Sequence, residues 1–186
     1  MLATEITLAL PSWIDDEIGA PRLFADADAR LALAIRLARR NIAEGTGGPF
    51  GAAIFSEDGR LVAAGVNRVL PQNCSAAHAE IVAFIAAQAR LGRARINEDG
   101  QRYILATSAQ PCAMCYGASF WAGIDVLEIG ARNTDVMELS EFDEGPLPAD
   151  WIGELERRGI TVRRDILRDE AREVFHAYAR SGGRAY

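Results

Sequence analysis

The sequence predicts an α/β fold in which helices cover both faces of a central mixed sheet. Short apolar strands alternate with helical stretches, which is typical of a sheet enclosed between helices. The first two strands, 50–55 and 60–70, are joined by a tight turn at 57–59, so they form an antiparallel hairpin and make the sheet mixed. A length of 186 residues suits one domain with a full core.

Each element follows from its local pattern. The first long helix begins at Asp26 or Asp28, keeps apolar residues at the helical period and ends at the glycines within 45–48. Proline is favoured in the first turn of a helix, so Pro111 marks the start of the helix that runs to residue 122. The other predicted elements are helices at 78–91, 151–158 and 169–180, a short helix after residue 133, and strands at 103–107, 125–129 and 160–164.

The composition excludes several classes of chemistry. All 20 basic residues are arginines, so Schiff-base lysine chemistry and a Walker-type phosphate lysine are ruled out. With His78 and His176 as the only histidines, one chain cannot build a three-histidine metal site. A net charge of −6 argues against a nucleic-acid partner, which usually leaves a basic footprint.

The sequence also predicts a cytoplasmic protein that binds no membrane. Its three unevenly spaced cysteines do not make a disulfide framework, and no basic region precedes an apolar segment at the N-terminus. A charge-free run extends over 103–124, but polar residues and Pro111 interrupt it, so we do not interpret it as a membrane span.

Two short motifs carry the chemistry. His78-Ala79-Glu80 begins the second long helix, and Pro111-Cys112-Ala113-Met114-Cys115 begins the third; together they match the signature of zinc nucleobase deaminases. Two cysteines in the first turn of a helix can bind one metal, and the positive helix end favours their thiolates. One histidine completes three ligands, which leaves tetrahedral Zn²⁺ a fourth position for water with a pKa of about 7. Glu80 is not needed as a ligand and can move protons.

A structural zinc site is the alternative interpretation. Cys74 lies four residues before His78, so Cys74, His78, Cys112 and Cys115 could form a closed site with four protein ligands. In such a closed site, Glu80 would have no chemical role.

With these motifs, the chain resembles the cytidine deaminase-like superfamily, and within it the bacterial guanine deaminases, some of which also act on the triazine ammeline. The resemblance covers most of the chain through the stretches 47–51, 65–69, 76–80, 111–115, 121–123 and 142–146. It implies a three-layer α/β/α fold with a central mixed five-stranded sheet, one Zn²⁺ per chain, a homodimer and a small nucleobase as substrate. It also implies an N-terminal extension, 1–26, packed on a deaminase domain, 27–186, that ends in a lid region.

The resemblance assigns roles residue by residue. It makes His78, Cys112 and Cys115 the zinc ligands and Glu80 the proton shuttle. For the substrate, it implies a hydrogen bond from Asn67, stacking or lining by Phe50 and Trp121, a place for Ala79 in the binding site, and base recognition with assistance to ammonia release by Glu144.

The residues alone leave other roles open. Asn67 could serve a turn or bulge, Phe50 and Trp121 could be core aromatics, and Glu144 could belong to a solvated acidic loop. His176 lies among apolar residues of the last helix, where a structural role is expected.

Two further positions bear on the site. Gln110 stands where the family usually has glutamate, so this chain keeps the size of that side chain and an acceptor but loses a charge. Tyr186 ends the sequence; related enzymes can close the pocket with such a tyrosine, although the glycines before it are equally typical of a frayed end.

The sequence therefore predicts hydrolytic deamination of a free aminopurine-type base, with guanine giving xanthine and ammonia. The alternatives are guanosine, ammeline or a cytosine-type ring as substrate, editing of adenosine in transfer RNA, and a zinc-stabilised binding module without catalysis.

Overall fold

A computed structural model describes residues 6–186, and its sheet has five strands in the order β2-β1-β3-β4-β5. The strands are β1 (Gly51–Ser56), β2 (Leu61–Val66), β3 (Tyr103–Ala109), β4 (Val126–Ala131) and β5 (Thr161–Arg163). The helices are α1 (Ile14–Ile18), α2 (Ala27–Ala43), α3 (Val69–Gln72), α4 (Ala79–Leu91), α5 (Ala113–Ala122), α6 (Asn133–Leu139), α7 (Trp151–Glu156) and α8 (Arg168–Arg180).

Helices cover both faces of the sheet. On one face, Phe84 of α4 and Leu155 of α7 pack in one core cluster with Ile54 and Leu105 from the strands. On the other face, α2 packs against the sheet over apolar residues such as Leu37, and α8 lies beside α2. The expected three-layer fold with a mixed five-stranded sheet is confirmed.

The direction of the strands determines where the functional loops lie. β1 is antiparallel to both of its neighbours, β2 and β3, whereas β3, β4 and β5 are parallel to one another. The carboxyl ends of β2, β3 and β4 and the amino end of β1 therefore share one edge of the sheet. The helices α4 and α5, which follow β2 and β3, both begin at this edge.

The second strand is shorter than the sequence pattern predicts. The prediction of a strand over 60–70 is wrong beyond Val66, because the side-chain oxygen of Asn67 accepts a hydrogen bond from the backbone N–H of Val69 and turns the chain. The short helix α3 follows and includes Pro71. Asn67 consequently lies in the loop at the functional edge.

The stretch before α2 packs on the rest of the chain. Trp13 and Phe24 are buried in the core cluster beneath α2, and Leu23 pairs with Arg60 in an isolated antiparallel bridge. Within 1–26, residues 1–5 lie outside the described part of the chain, and the division at residue 26 stays a prediction.

A glycine sets the approach of α4 to the sheet. A Cβ atom on Gly65 of β2 would overlap the backbone of α4 at Ala79 and Ala83. Any larger residue would push the start of α4 away from the sheet. Since His78 and Glu80 flank that point of contact, Gly65 helps to position both.

Two buried carboxylates tie the layers together. Glu128 of β4 is fully buried and receives two hydrogen bonds from Arg30 of α2, at 2.7 and 2.9 Å. Asp135 of α6 is also buried and binds Arg168 of α8 at 2.7 and 2.8 Å, with Arg172 as a further partner. The second cluster fixes α6, and hence the loop that follows it, to α8.

The Asp135 cluster predicts a component of acid sensitivity. The hydrogen bonds from Arg168, helped by those from Arg132 and Arg172, lower the pKa of Asp135 to about 2. A carboxyl whose pKa is depressed in the folded state stabilises the fold above its unfolded value, and this contribution is lost as the pH falls from about 4 to about 2. We expect Asp135→Asn to reduce the free energy of unfolding by about 2 kcal/mol at pH 7.

Urea denaturation at a series of pH values checks this expectation. The two proteins should converge below about pH 2, because the wild-type carboxyl is then protonated. The exposed Glu138→Gln serves as the control. Parallel stability curves for wild type and Asp135→Asn across the acid range would contradict the assignment.

Candidate active site and metal centre

Three metal-ligating side chains meet at the functional edge of the sheet. His78 caps the start of α4, Cys112 caps the start of α5, and Cys115 lies in the first turn of α5. Their ligand atoms all lie within 4.8 Å of one another, and the Cys112 Sγ to His78 Nδ1 distance is 3.5 Å. The structure thus brings together all three predicted ligands.

This donor set fits zinc. Two ligand atoms of a tetrahedral zinc, one sulfur and one nitrogen, lie about 3.6 Å apart, which agrees with the separation of the Cys112 and His78 atoms. One imidazole and two thiol groups are also the ligand types that zinc prefers. Three protein ligands leave one of four positions open, as in catalytic rather than structural sites.

Cys74 does not belong to the cluster. Among residues 6–186, the potential metal-binding group around His78 contains the two cysteines of α5 and no fourth side chain. Cys74 is a partly exposed free thiol in the turn after α3. The closed four-ligand alternative is therefore wrong.

The electrostatics of the cluster favour metal binding. Hydrogen bonding from Cys115 and from His78 lowers the pKa of Cys112 to about 4, so this thiol is already ionised at neutral pH. The same interaction with Cys112, together with burial, raises the pKa of Cys115. A divalent cation would be needed to hold both groups as thiolates in this buried place.

Glu80 lies beside the ligands but is not one of them. It occupies the first turn of α4, two residues after His78, and only 6% of its surface is exposed. Burial, with the negative Cys112 as a second cause, raises the pKa of Glu80 to about 7. A carboxyl with a pKa near neutrality can both accept and release protons.

These groups open into a small cavity of about 90 Å³. The side chains that line it come from every loop at the functional edge: Phe50, Asn67, His78, Glu80, Gln110, Cys112, Phe142, Asp143, Glu144 and Tyr186. The cavity is therefore polar on the metal side and aromatic on the other.

Asn67 presents its amide N–H groups to this cavity. Its side-chain oxygen accepts hydrogen bonds from the backbone N–H groups of Gly48 and Val69, at 3.4 and 3.2 Å. The oxygen is thus held by the chain, which leaves the NH₂ group as the donor that can meet a ligand. The role of Asn67 in the turn and its place in the cavity are compatible.

Glu144 is a cavity residue and not part of a solvated loop. Only 8% of its surface is exposed, and its backbone oxygen accepts a hydrogen bond from the N–H of Ala113 at 2.9 Å. This bond fastens the 140–150 loop to the start of α5, next to Cys112. Burial, with the charges of Cys112 and Glu80 as further causes, raises the pKa of Glu144 to about 8.

Aromatic rings form the opposite wall. Phe50 is half-buried and makes edge contacts with Phe142 and Phe175, with ring centroids 5.0 and 5.5 Å apart. Tyr186 packs against Phe142 at 5.0 Å, and its hydroxyl lies close to Gly48. Tyr186 thus packs on this aromatic group and lines the cavity.

Two expected substrate residues lie elsewhere. Trp121 is 73% exposed and lines a different surface hollow with Phe120 and Arg158, so within one chain it lies away from the cavity, and its role in stacking on the substrate stays a prediction. The reason is helix length, because nine residues of α5 separate Trp121 from Cys112 by about 13 Å. Ala79 is fully buried in the core beside Gly65, and its role in substrate binding stays a prediction.

Two further residues shape the site, and their roles were not predicted from the sequence. Asn41 of α2 donates hydrogen bonds to the backbone oxygens of Gly48 and Asn67, both at 2.9 Å, and so joins the two loops at the cavity. A polar residue on the apolar face of a helix was the available signal. Phe142 belongs to the 142–146 motif, but its contact with Phe50 could not be predicted, because the two residues are distant in the chain.

The comparisons with known proteins agree with this geometry. Residues 26–131 match the family model of the cytidine and deoxycytidylate deaminase zinc-binding region. The chain belongs to this family of zinc-dependent deaminases, which are hydrolytic enzymes.

One curated relative and two solved structures show which members of the family this chain is similar to. Guanine deaminase from Bacillus subtilis (strain 168) is 40% identical over 114 residues, which cover 61% of this chain and 69% of that protein. A structure of guanine deaminase from Nitrosomonas europaea is 44% identical, with a TM-score of 0.89 and coverage of 96% of this chain and 98% of that chain. A mutant of NE0047 in complex with 8-azaguanine is 45% identical, with a TM-score of 0.89 and coverage of 94% and 97%.

The ligand set predicts the metal content of the protein. We expect purified wild-type protein to hold about one zinc ion per chain, and His78→Ala, Cys112→Ala and Cys115→Ala each to lose most of it. Cys74→Ala is the matched control, and it should retain zinc at the wild-type level. Elemental analysis after gel filtration measures this, and zinc loss in Cys74→Ala would restore the four-ligand site.

Proposed function

We propose that this chain is a zinc-dependent guanine deaminase, which adds water to guanine and releases xanthine and ammonia. The observation that carries the proposal is the placement of Glu80 and Glu144 in one small cavity with the three-ligand cluster and the amide of Asn67. The likeness to solved guanine deaminase over nearly the whole chain supports the same substrate.

His78, Cys112 and Cys115 hold the metal in this proposal. Zinc, when bound there, supplies a water with a pKa lowered to about 7 at the open position. The chain itself shields this position from bulk solvent, because Glu80, Cys112 and Cys115 are buried, His78 is partly buried and the Tyr186 ring lines the cavity.

Glu80 moves the protons of the reaction. Its carboxylate takes one proton from the attacking water and delivers it to a ring nitrogen of the base. It then transfers the second proton to the exocyclic amine, which leaves carbon C2 as ammonia while the water oxygen remains on that carbon. The atoms balance as guanine and water on one side, and xanthine and ammonia on the other.

The other cavity residues recognise the base. Asn67 donates an N–H to an acceptor of the purine, and Phe50 packs against the ring. Glu144, with its raised pKa, pairs with the N–H groups of the base and assists the departure of ammonia. Each group reaches the cavity from a different loop, which favours a ligand that all of them can surround.

The size and charge of the cavity favour a free base over the alternatives. The cavity is small, and three carboxyl groups, from Glu80, Asp143 and Glu144, border it. An RNA phosphate backbone would meet these acidic groups instead of a basic groove. A zinc-stabilised binding module would not need Glu80 beside an open metal position.

Removal of the Glu80 carboxylate tests the mechanism. We expect Glu80→Gln to keep wild-type zinc content and to release ammonia from guanine at a rate lower by a factor of about 10²–10⁴, because the proton shuttle is lost. Ammonia release is measured over a panel of guanine, guanosine, ammeline, cytosine and adenine. If Glu80→Gln retains most of the activity, Glu80 is not the proton shuttle. If the wild type releases ammonia faster from another compound of the panel than from guanine, that compound replaces guanine as the proposed substrate.

We also propose that two copies associate through the outer side of the α3–α5 layer. This surface, called the α3–α5 face, carries exposed apolar side chains: Leu70, Ile85, Met114 and Trp121. Monomeric proteins rarely expose several large apolar groups in one layer, and such groups mark interaction surfaces. A homodimer would cover them, including Trp121, which is 73% exposed in the single chain.

The mass of the protein in solution tests the dimer. Light scattering should give twice the chain mass of 20.1 kDa for wild type. Ile85→Glu and Trp121→Glu should shift the protein to the monomer, because a buried unpaired charge opposes association. Met137→Glu, at an exposed position of α6, should leave the dimer intact. A monomeric wild type would refute the dimer.

We place the enzyme in the cytoplasm, in the breakdown of purines. Three free thiols, two of them zinc ligands in this proposal, suit a reducing compartment. Among residues 6–186, no helix combines the length and hydropathy that crossing a membrane requires.

A further inference from the structure

Gln110 occupies a distinct place in the cavity wall. It follows the last residue of β3 and lies directly before Pro111 and Cys112. Its backbone N–H donates to the oxygen of Ala131 at 2.8 Å, which fixes it to the end of β4. Only 7% of the residue is exposed, and it is one of the side chains that line the cavity.

Chemistry determines which end of the Gln110 amide meets the cavity. One end lies 3.4 Å from the backbone N–H of Asn133, and since that group can only donate, this end is the oxygen. The other end is therefore the NH₂ group. Among residues 6–186 it has no acceptor; the side-chain oxygen of Asn133 is buried nearby without a partner, but it does not take this hydrogen bond either.

A glutamate in this position could not present this donor. A carboxylate in the same position would still accept from Asn133, but its second oxygen would be another acceptor. Gln110 instead gives the cavity two amide donors, its own and that of Asn67, beside the carboxyl groups of Glu80 and Glu144.

We propose that Gln110 is a specificity-determining residue, whose NH₂ group donates a hydrogen bond to an acceptor on the ring of the substrate. The inference rests on the proposed function, because it concerns the same cavity and the same purine. Guanine offers three such acceptors, the oxygen on C6 and the ring nitrogens N7 and N3. A glutamate at this position would repel such an acceptor.

Two variants separate the donor from the structural contact. Gln110→Glu keeps an oxygen for Asn133 but replaces the donor by a second, negatively charged acceptor oxygen, whereas Gln110→Met loses both the oxygen and the donor. Binding of four bases is measured by calorimetry on zinc-loaded proteins that all carry Glu80→Gln, so that turnover is slow during the titration: guanine, 2,6-diaminopurine, 7-deazaguanine and 3-deazaguanine. Each of the last three lacks one acceptor. Zinc content and thermal unfolding are recorded for every variant.

We expect Gln110→Glu to weaken guanine binding about tenfold at unchanged zinc content, which is the effect of one lost hydrogen bond. The analogue that lacks the acceptor facing Gln110 should bind the wild type and this variant equally. The other two analogues should follow guanine.

Other outcomes overturn the inference. Equal binding of guanine by wild type and Gln110→Glu, with a loss in Gln110→Met alone, would reduce Gln110 to a structural contact with Asn133. The same proportional loss for all four purines would exclude a contact with any one acceptor. Binding of guanine without ammonia release by wild type would instead refute the deaminase proposal, and the comparison of binding constants would still decide the role of Gln110.

Discussion

The site depends on one topological constraint, which is that the loops before β1 and after β2, β3 and β4 open at the same edge of the sheet. Because β1 alone runs in the opposite direction, its preceding residue Phe50 joins Asn67, Gln110 and the loop of Glu144 at that edge. The two helices that carry the metal ligands both begin there, with their positive ends toward the thiols. Gly65 lets α4 lie close to β2, because it has no side chain that would overlap the backbone of α4.

A second constraint is the concentration of acidic groups at this edge. Three carboxyls, from Glu80, Asp143 and Glu144, and two thiols lie in or beside one cavity, and burial raises the pKa of Glu80 to about 7 and that of Glu144 to about 8. Such a group of anions is costly in a low-dielectric place unless cations balance it. A divalent metal at His78, Cys112 and Cys115 supplies that balance. Gln110 adds a polar side chain to this cavity without adding a further negative charge.

The sequence predicted what depends on local pattern. The H-x-E and P-C-x-x-C spacings identified the ligands, and the alternation of strands with helices identified the layers. Trp121 lies away from the cavity within one chain, because its motif records a position along α5 but not the length of helix between it and the metal ligands. Asn67 was placed within a strand because its turn depends on a side-chain hydrogen bond that propensity does not reveal. The contacts of Tyr186 with Phe142 and Gly48 join residues distant in the chain, and such contacts leave no local signal.

The walls of the cavity are held more firmly than a set of surface loops would be. Asn41 joins the loops of Gly48 and Asn67, the backbone bond from Ala113 to Glu144 fastens the acidic loop to α5, and Asp135 anchors the preceding helix α6 to α8. Each recognition group is thus oriented by a bond to the scaffold before any ligand arrives. Preorganised donors and acceptors lose little freedom on binding, and they penalise a ligand whose own pattern does not match. Selectivity among purines of nearly equal size therefore follows from the fixed direction of a few polar groups, and the volume of the cavity contributes less.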